Sequence, residues 1–260
     1  MKKFRIAFFY IAVSAFLFSC DINSETENAS GKLNTDSVQS NETVRVDTNK
    51  YVLKSSEAEA VLDWPRINGS LPKKVLDKMN RIISIDSICM ESIQEIQSNY
   101  EKCACGTVGS GFSVNFNKHN LLSLSISVET MGAYPDGYLK SFNFNTRTGS
   151  LVYLDSLIKK DSMASLVSRL NSELKKRMEE ANAIAEEDAE KPEEGDSMET
   201  LFERTEFSKE DLKSFTITEK GINFYFDFGF PHAFQSLEPA GDFFISKEEL
   251  KKYLKEDVQL

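Results

Sequence analysis

The chain has 260 residues, 40% hydrophobic and 28% charged, enough to bury a substantial core. Asp and Glu outnumber Lys and Arg by 41 to 31, a net charge of −10, which leaves no electrostatic hold on a phosphate backbone and excludes nucleic-acid binding. A single apolar stretch excludes a multi-span membrane protein, and two histidines exclude chemistry built on a His cluster.

Lys2, Lys3 and Arg5 precede an apolar run, Ile6 to Phe18, that ends on the small Ser19, the layout of an export leader. Thirteen helical residues rise about 20 Å, short of the roughly 30 Å hydrocarbon core, so the run is read as a leader and not a span. Leu17-Phe18-Ser19-Cys20 resembles the bacterial lipobox, with Phe18 bulkier than the residue usual at that place. The resemblance implies a lipoprotein signal peptide at 1–19 and a Cys20 that carries palmitate-type acyl chains into the lipid bilayer; a plain secretory signal cut near Ser19 is the alternative. Residues 20–48, rich in Asn, Ser, Thr and acids, are too poor in aliphatics to build a core and are expected to form a disordered tether.

Two α+β subdomains of similar size, 49–131 and 132–260, are expected to follow, with antiparallel sheets packed on two long helices. Tyr51–Lys54 and Ala58–Trp64 read as short strands, the second closed by Pro65. Ser70 caps a helix whose apolar stripe, Val75, Met79, Ile82, Ile83, Ile85, Cys89, Ile93 and Ile96, carries it to Asn99. Phe112, Val114 and Phe116, then Leu122, Leu124, Ile126 and Val128, alternate with polar residues across the turn Asn117–Asn120, which marks a half-exposed hairpin. A third strand carries Phe142 and Phe144, and after a turn the chain resumes at Leu151 and Tyr153. Asp161 caps a second helix with Met163, Leu166, Val167, Leu170 and Leu174 on its buried side. Residues 179–199 hold ten acids and one base, so a frayed helix end runs into a solvated acidic loop at 184–200. Strands at Phe215–Thr218 and Ile222–Phe226, an irregular stretch to Gly241, one more strand and a helix capped by Ser246 and Glu249 complete the chain.

Candidate chemistry is sparse. Export makes the cysteines eligible for pairing, and a bridge from Cys89 to either Cys103 or Cys105 fits the expected elements. No ligand set accompanies Cys103-x-Cys105, so neither a metal nor another cofactor is expected. His119 and His232 lie in loops without a nucleophile motif nearby. The run Gly106–Gly111 lacks the Gly-Lys-Ser/Thr ending of a phosphate loop and reads as a strand connection or bulge. The stretch Phe228–Gly241 is long, aromatic and broken by two prolines; it is either a binding loop or a cover for one end of the core.

Trp64-Pro65-Arg66-Ile67-Asn68-Gly69 followed by Met79-Asn80 is similar to the opening of the extracytoplasmic domain family shared by the anti-sigma factor RsiV and the peptidoglycan deacetylase PdaC. Gly132-Ala133-Tyr134-Pro135, Ser141 to Asn145, Thr148-Gly149 and Pro239-Ala240-Gly241 resemble its later blocks, so the likeness spans about Tyr51 to Leu254. It implies an ectodomain that binds at the cell wall, as RsiV senses lysozyme. Tyr134 stands where relatives often have His. Only Met1 to Arg5 precede the apolar run and no deacetylase domain follows, so neither sigma binding nor deacetylation is expected. The expectation is a non-catalytic cell-envelope lipoprotein, extracytoplasmic and lipid-anchored, that binds a lysozyme-like hydrolase or peptidoglycan. Tyr134, Tyr138, Phe230, His232, Phe234 and Leu237 are the candidate contacts. A carboxylate-dependent wall hydrolase, or a structural lipoprotein acting through a protein partner, is the alternative.

Overall fold

The computed structural model describes residues 44–187 and 201–260. The leader, Cys20, most of the tether and the acidic stretch 188–200 lie outside the described residues. The folded chain is α+β. Its first sheet runs in spatial order through six strands: β1 Arg45–Lys54, β2 Glu59–Asn68, β3 Gly106–Lys118, β4 Leu121–Met131, β5 Pro135–Asn145 and β6 Ser150–Leu151. Neighbours are antiparallel except β2 and β3, which meet in parallel at Leu62 and Ser110. A second antiparallel sheet orders β7 Phe215–Ile217, β8 Gly221–Tyr225 and β9 Asp242–Ser246.

β1 starts six residues before Tyr51, so residues 45–48, which composition assigns to the tether, are strand. The side chain of Asn117 acts as a surrogate neighbour there. It accepts from Val44 N at 3.2 Å and donates to Val44 O at 2.6 Å, and Val44 is buried. β2 continues through Pro65 to Asn68, because β1 pairs it throughout while β3 bonds it only at Leu62.

The expected single helix is three: α1 Lys73–Ile82, α2 Ile85–Cys89 and α3 Ile93–Cys103. Pro72, not Ser70, occupies the cap position of α1. Ser84 caps α2, Met90 ends it with φ of 60°, and Ser92 with Glu95 forms a complete capping box at the start of α3. The apolar period survives both breaks, which is why the pattern alone reads as continuous. Cys103 is the last residue of α3, and it pairs with Cys105 across Ala104, whose φ is 49°. The bridge from Cys89 is therefore not formed. Cys89 ends α2 with its thiol free, beside Tyr138 and Thr107.

β3 and β4 form the expected hairpin, joined by His119 and Asn120, both at positive φ, but it is not half-exposed throughout: Ser123 and Ser125 on its polar face are buried, Ser123 against the second sheet. The glycine run 106–111 lies inside β3 and includes a bulge between Thr107 and Gly109. A second bulge between Val114 and Phe116 reverses the alternation. Above it Phe112 faces α1–α3 with Leu124, Ile126 and Val128; below it Phe116 pairs with Ser123 and points to the other face. Two hydrophobic cores result, one on each face. Leu53, Leu62, Trp64, Met79, Ile96 and Phe144 belong to the helix-side core, and Phe116 and Leu121 join the second sheet and the long helix in the other. Polar bonds stitch the second sheet on: Ile217 N donates to Ser123 Oγ at 2.9 Å, and Asn143 Nδ2 to Phe215 O at 2.9 Å. The passage from residue 131 to 132 falls at the tip of the β4–β5 hairpin, which remains in the first sheet.

A short helix, α4 Leu154–Leu157, and a 3₁₀ turn, Lys160–Ser162, lead into α5, Met163–Glu187, which buries Leu166, Leu170 and Leu174. A 3₁₀ turn, Asp211–Lys213, precedes β7. The closing helix, α6 Lys247–Leu250, keeps half of its capping box. Ser246 Oγ accepts from Glu249 N at 3.2 Å, while the Glu249 carboxylate is taken by Arg169 at 3.1 Å. Among the described residues, no helix is long and apolar enough to cross a membrane.

Candidate binding site

The motifs of the sequence map onto joints. Trp64 Nε1 donates to Ile83 O at 2.7 Å, and Asn80 Oδ1 and Nδ2 hold Ile67 N and O at 2.9 and 2.8 Å, so the blocks 64–69 and 79–80 are two sides of one β2–α1 joint. Gly241 closes the stretch 227–240 into a loop with adjacent ends. Its carbonyl accepts from Phe226 N at 2.8 Å, and a Cβ there would lie 2.2 Å from Phe226 O, so no larger residue fits. Arg177 strengthens this neck by bonding Ala240 O with its guanidinium 4.0 Å above the Phe243 ring.

Within the loop, Pro231 leads into a 3₁₀ helix, His232–Leu237, that sets the side chains apart. Phe230, at 8% exposure, is a core residue, packed edge-on against Phe202 with centroids 5.0 Å apart. Phe234 is half-buried against the same core, and Leu237 is exposed. His232 reaches outward. It meets Tyr134, from the tip of the β4–β5 hairpin, at 4.7 Å between ring centroids. Tyr134 is 65% exposed, so the two rings form one aromatic surface from segments remote in the chain.

Tyr138 lies four residues along β5. Its hydroxyl donates to Ile88 O at 3.2 Å, and burial first, then Cys89, push the phenol up to about 12. Burial also pushes the Cys89 thiol up, more than the neighbouring Tyr138 and Thr107 side chains lower it, so it stays protonated and a poor nucleophile. The structure thus brings Tyr134 and His232 together, sets Tyr138 on the adjoining strand, and leaves Phe230 to packing.

Glu238 is a residue that sequence reasoning passed over. Its carboxylate accepts from Phe228 N at 3.2 Å, tying the two limbs of the loop. Burial pushes its carboxyl above the usual range, the Phe228 amide opposes this, and the charge of Asp227 adds to the rise. A separate cavity of about 410 Å³ opens between α4 and the 3₁₀ turn at 211–213, lined by Tyr153, Leu154, Met163 and Leu212, with Asp155 its one acid. Among the described residues, no group of His, Cys, Asp or Glu is placed to hold a metal ion.

No family model matches the sequence, and neither does any curated protein. Solved structures do match. A member of the DUF3298 family from Bacteroides fragilis superposes with a TM-score of 0.52 at 14% identity, covering 84% of this chain and 96% of that one. A DUF3298 family protein from Pseudomonas aeruginosa gives a TM-score of 0.49 at 10% identity, over 82% of this chain and 94% of its own. The likeness to the Bacteroides structure is one of fold: this chain has the α+β architecture found in a DUF3298 protein.

Proposed function

We propose that the chain is an envelope lipoprotein, anchored through acylated Cys20, whose non-catalytic ectodomain binds a wall-associated ligand, either a lysozyme-like hydrolase or peptidoglycan. The observation that carries this is the exposed Tyr134–His232 pair, built from the hairpin tip and the clamped loop, the two segments that resemble blocks of the RsiV and PdaC ectodomains. An aromatic platform with polar edges suits stacking on a sugar ring or packing against a protein surface. The fold shared with a DUF3298 protein agrees with this reading without naming a ligand.

The test is co-sedimentation with purified peptidoglycan, and capture on immobilised lysozyme, by the wild-type chain and by a Tyr134→Ala/His232→Ala double variant. Both residues are exposed, so folding is spared. Binding of one ligand by the wild type and its loss in the variant supports the proposal; equal binding by both, or none by either, refutes it. Failure of palmitate to enter the wild-type chain removes the anchor. The second reading, a carboxylate-dependent wall hydrolase, draws on one observation, the raised Glu238 carboxyl beside Asp227. Release of muropeptides by the wild type but not by Glu238→Gln would favour it.

A further inference from the structure

We propose that the outer edge of β5 pairs antiparallel with the same edge of a second copy of this chain, across a two-fold axis through Tyr138, joining two six-stranded sheets into one. The hydrogen-bonding direction of β5 is set at two points. Val152 N donates to Asn143 O at 2.7 Å from the side away from β4, and Gly137 N is bonded by its own Asp136 carboxylate at 2.7 Å. Odd-numbered residues from Gly137 onward therefore present N–H and C=O outward. β6 covers the edge only at Phe144 and Asn145, and among the described residues no strand pairs with Gly137 to Ser141 on the side away from β4.

The two edges of this sheet differ. Along β1, Arg45, Lys50 and Lys54 form ion pairs with Asp47, Asp63 and Glu59, a charged border that discourages pairing. The β5 border instead exposes Tyr138 at 37% and Leu139 at 40%. Met90, 85% exposed, stands two residues past the Ile88 carbonyl that Tyr138 bonds, on the helix side of the same edge.

The occupant follows from the order of charge. Asp136, Tyr138 and Lys140 pair with Thr130, Val128 and Ile126 of β4, so they share one face, reading acid, aromatic, base. An antiparallel copy centred on Tyr138 sets Asp136 against Lys140 of the second copy, Tyr138 against its counterpart, and Lys140 against Asp136 of the second copy. These are non-hydrogen-bonded positions, where side chains approach most closely. Gly137 and Leu139 then fall opposite each other in hydrogen-bonded pairs, and the Gly137 amide exchanges its own carboxylate for a backbone carbonyl. Any antiparallel strand that matched this face would read acid-x-apolar-x-base, and β5 itself reads so. One strand pair is a small contact, so the dimer is a weak one that forms reversibly.

The experiment is sedimentation equilibrium of the purified full chain in density-matched detergent, over about 1 to 300 μM. The wild type is expected to dimerise within this range. Lys140→Glu sets like charges together at two symmetry-related pairs and should weaken association about fivefold or more, as should Asp136→Lys. The exchange variant Asp136→Lys/Lys140→Asp restores opposite charges and should associate within about threefold of wild type. Leu139→Pro removes an outward amide that β4 does not use and should abolish the dimer, whereas Leu139→Ala should not. A wild type that stays monomeric throughout, an exchange variant no better than the single changes, or a dimer that survives in folded Leu139→Pro overturns the proposal. So does a monomeric wild type that binds an acid-x-apolar-x-base peptide, since the edge would then belong to a different protein. Should Leu139→Pro fail to fold, the charge series decides alone.

Discussion

Replacing Asn80 by Ala tests the joint between β2 and α1. The amide of Asn80 satisfies both backbone groups of Ile67, a residue with no exposed surface, and its third bond, to Leu76 O, falls within α1. Loss of the third costs little, because the helix already uses that carbonyl. The Ile67 N–H and C=O are different: truncation leaves a donor and an acceptor half-shielded from water, at about 1–3 kcal/mol each before partial rehydration. A net loss of about 2–4 kcal/mol is expected, a large part of the ~5–15 kcal/mol of an ordinary domain. Urea unfolding followed by tryptophan fluorescence measures it, because Trp64 is the single tryptophan, is 3% exposed and bonds Ile83 O at the same joint. Lys74→Ala, exposed on α1, is the control and should change stability by less than about 0.5 kcal/mol. An Asn80→Ala loss no larger than that of the control, at unchanged slope, would show that water replaces the side chain and would refute the reasoning.

Two further outcomes follow from charge and sulfur. Burial alone would push the Asp211 carboxyl up, but the Arg204 guanidinium at 2.5 Å and the hydroxyl and amide of Ser208 hold it below the usual range. A depressed folded-state value stabilises above the ordinary carboxylate pKa and loses that stabilisation as pH falls through the folded value. The urea midpoint should therefore drop on acidification more steeply in wild type than in Asp211→Asn; parallel profiles would count against the pairing. Alkylation of the unfolded, unreduced chain should label Cys89 and leave Cys103 and Cys105 unlabelled until reductant is added. Peptide mass mapping that finds Cys89 bridged would contradict this arrangement.

The strands were more legible than the helices, for a physical reason. A period of two fails visibly when a strand ends, and Leu122 to Val128 could be placed on one face without coordinates. The helical stripe from Val75 to Ile96 gives no such warning, because α1, α2 and α3 pack the same side on the same sheet. The Ser92-x-x-Glu95 capping box was a readable stop signal, outweighed by the apolar period. The left-handed Met90 was not readable, since methionine carries no preference for it. Of the candidate contacts, the hairpin tip and the aromatic loop were visible as segments, but the meeting of Tyr134 and His232 is a tertiary fact. The burial of Phe230 beside the exposure of His232 depends on where Pro231 starts a 3₁₀ turn, and an aromatic count over the loop does not separate them.

The bulge at Val114 and Phe116 has a consequence for how the molecule holds together. It acts as a frame shift within one strand: the upper half of β3 is in phase with the helix-side core and the lower half with the core built on the second sheet. The β3–β4 hairpin is therefore a wall common to both cores, and melting either one exposes a face that the other needs closed. Ser123 of β4 and its β5 neighbour Asn143, both buried, bond the second sheet through Ile217 N and Phe215 O, so the seam carries polar as well as apolar cohesion. A chain with two cores would ordinarily be free to lose them one at a time. Here the extra residue in β3 makes them open together, and the Tyr134–His232 surface, which draws one ring from the hairpin tip of the first sheet and one from the loop of the second, persists only while both sheets are intact.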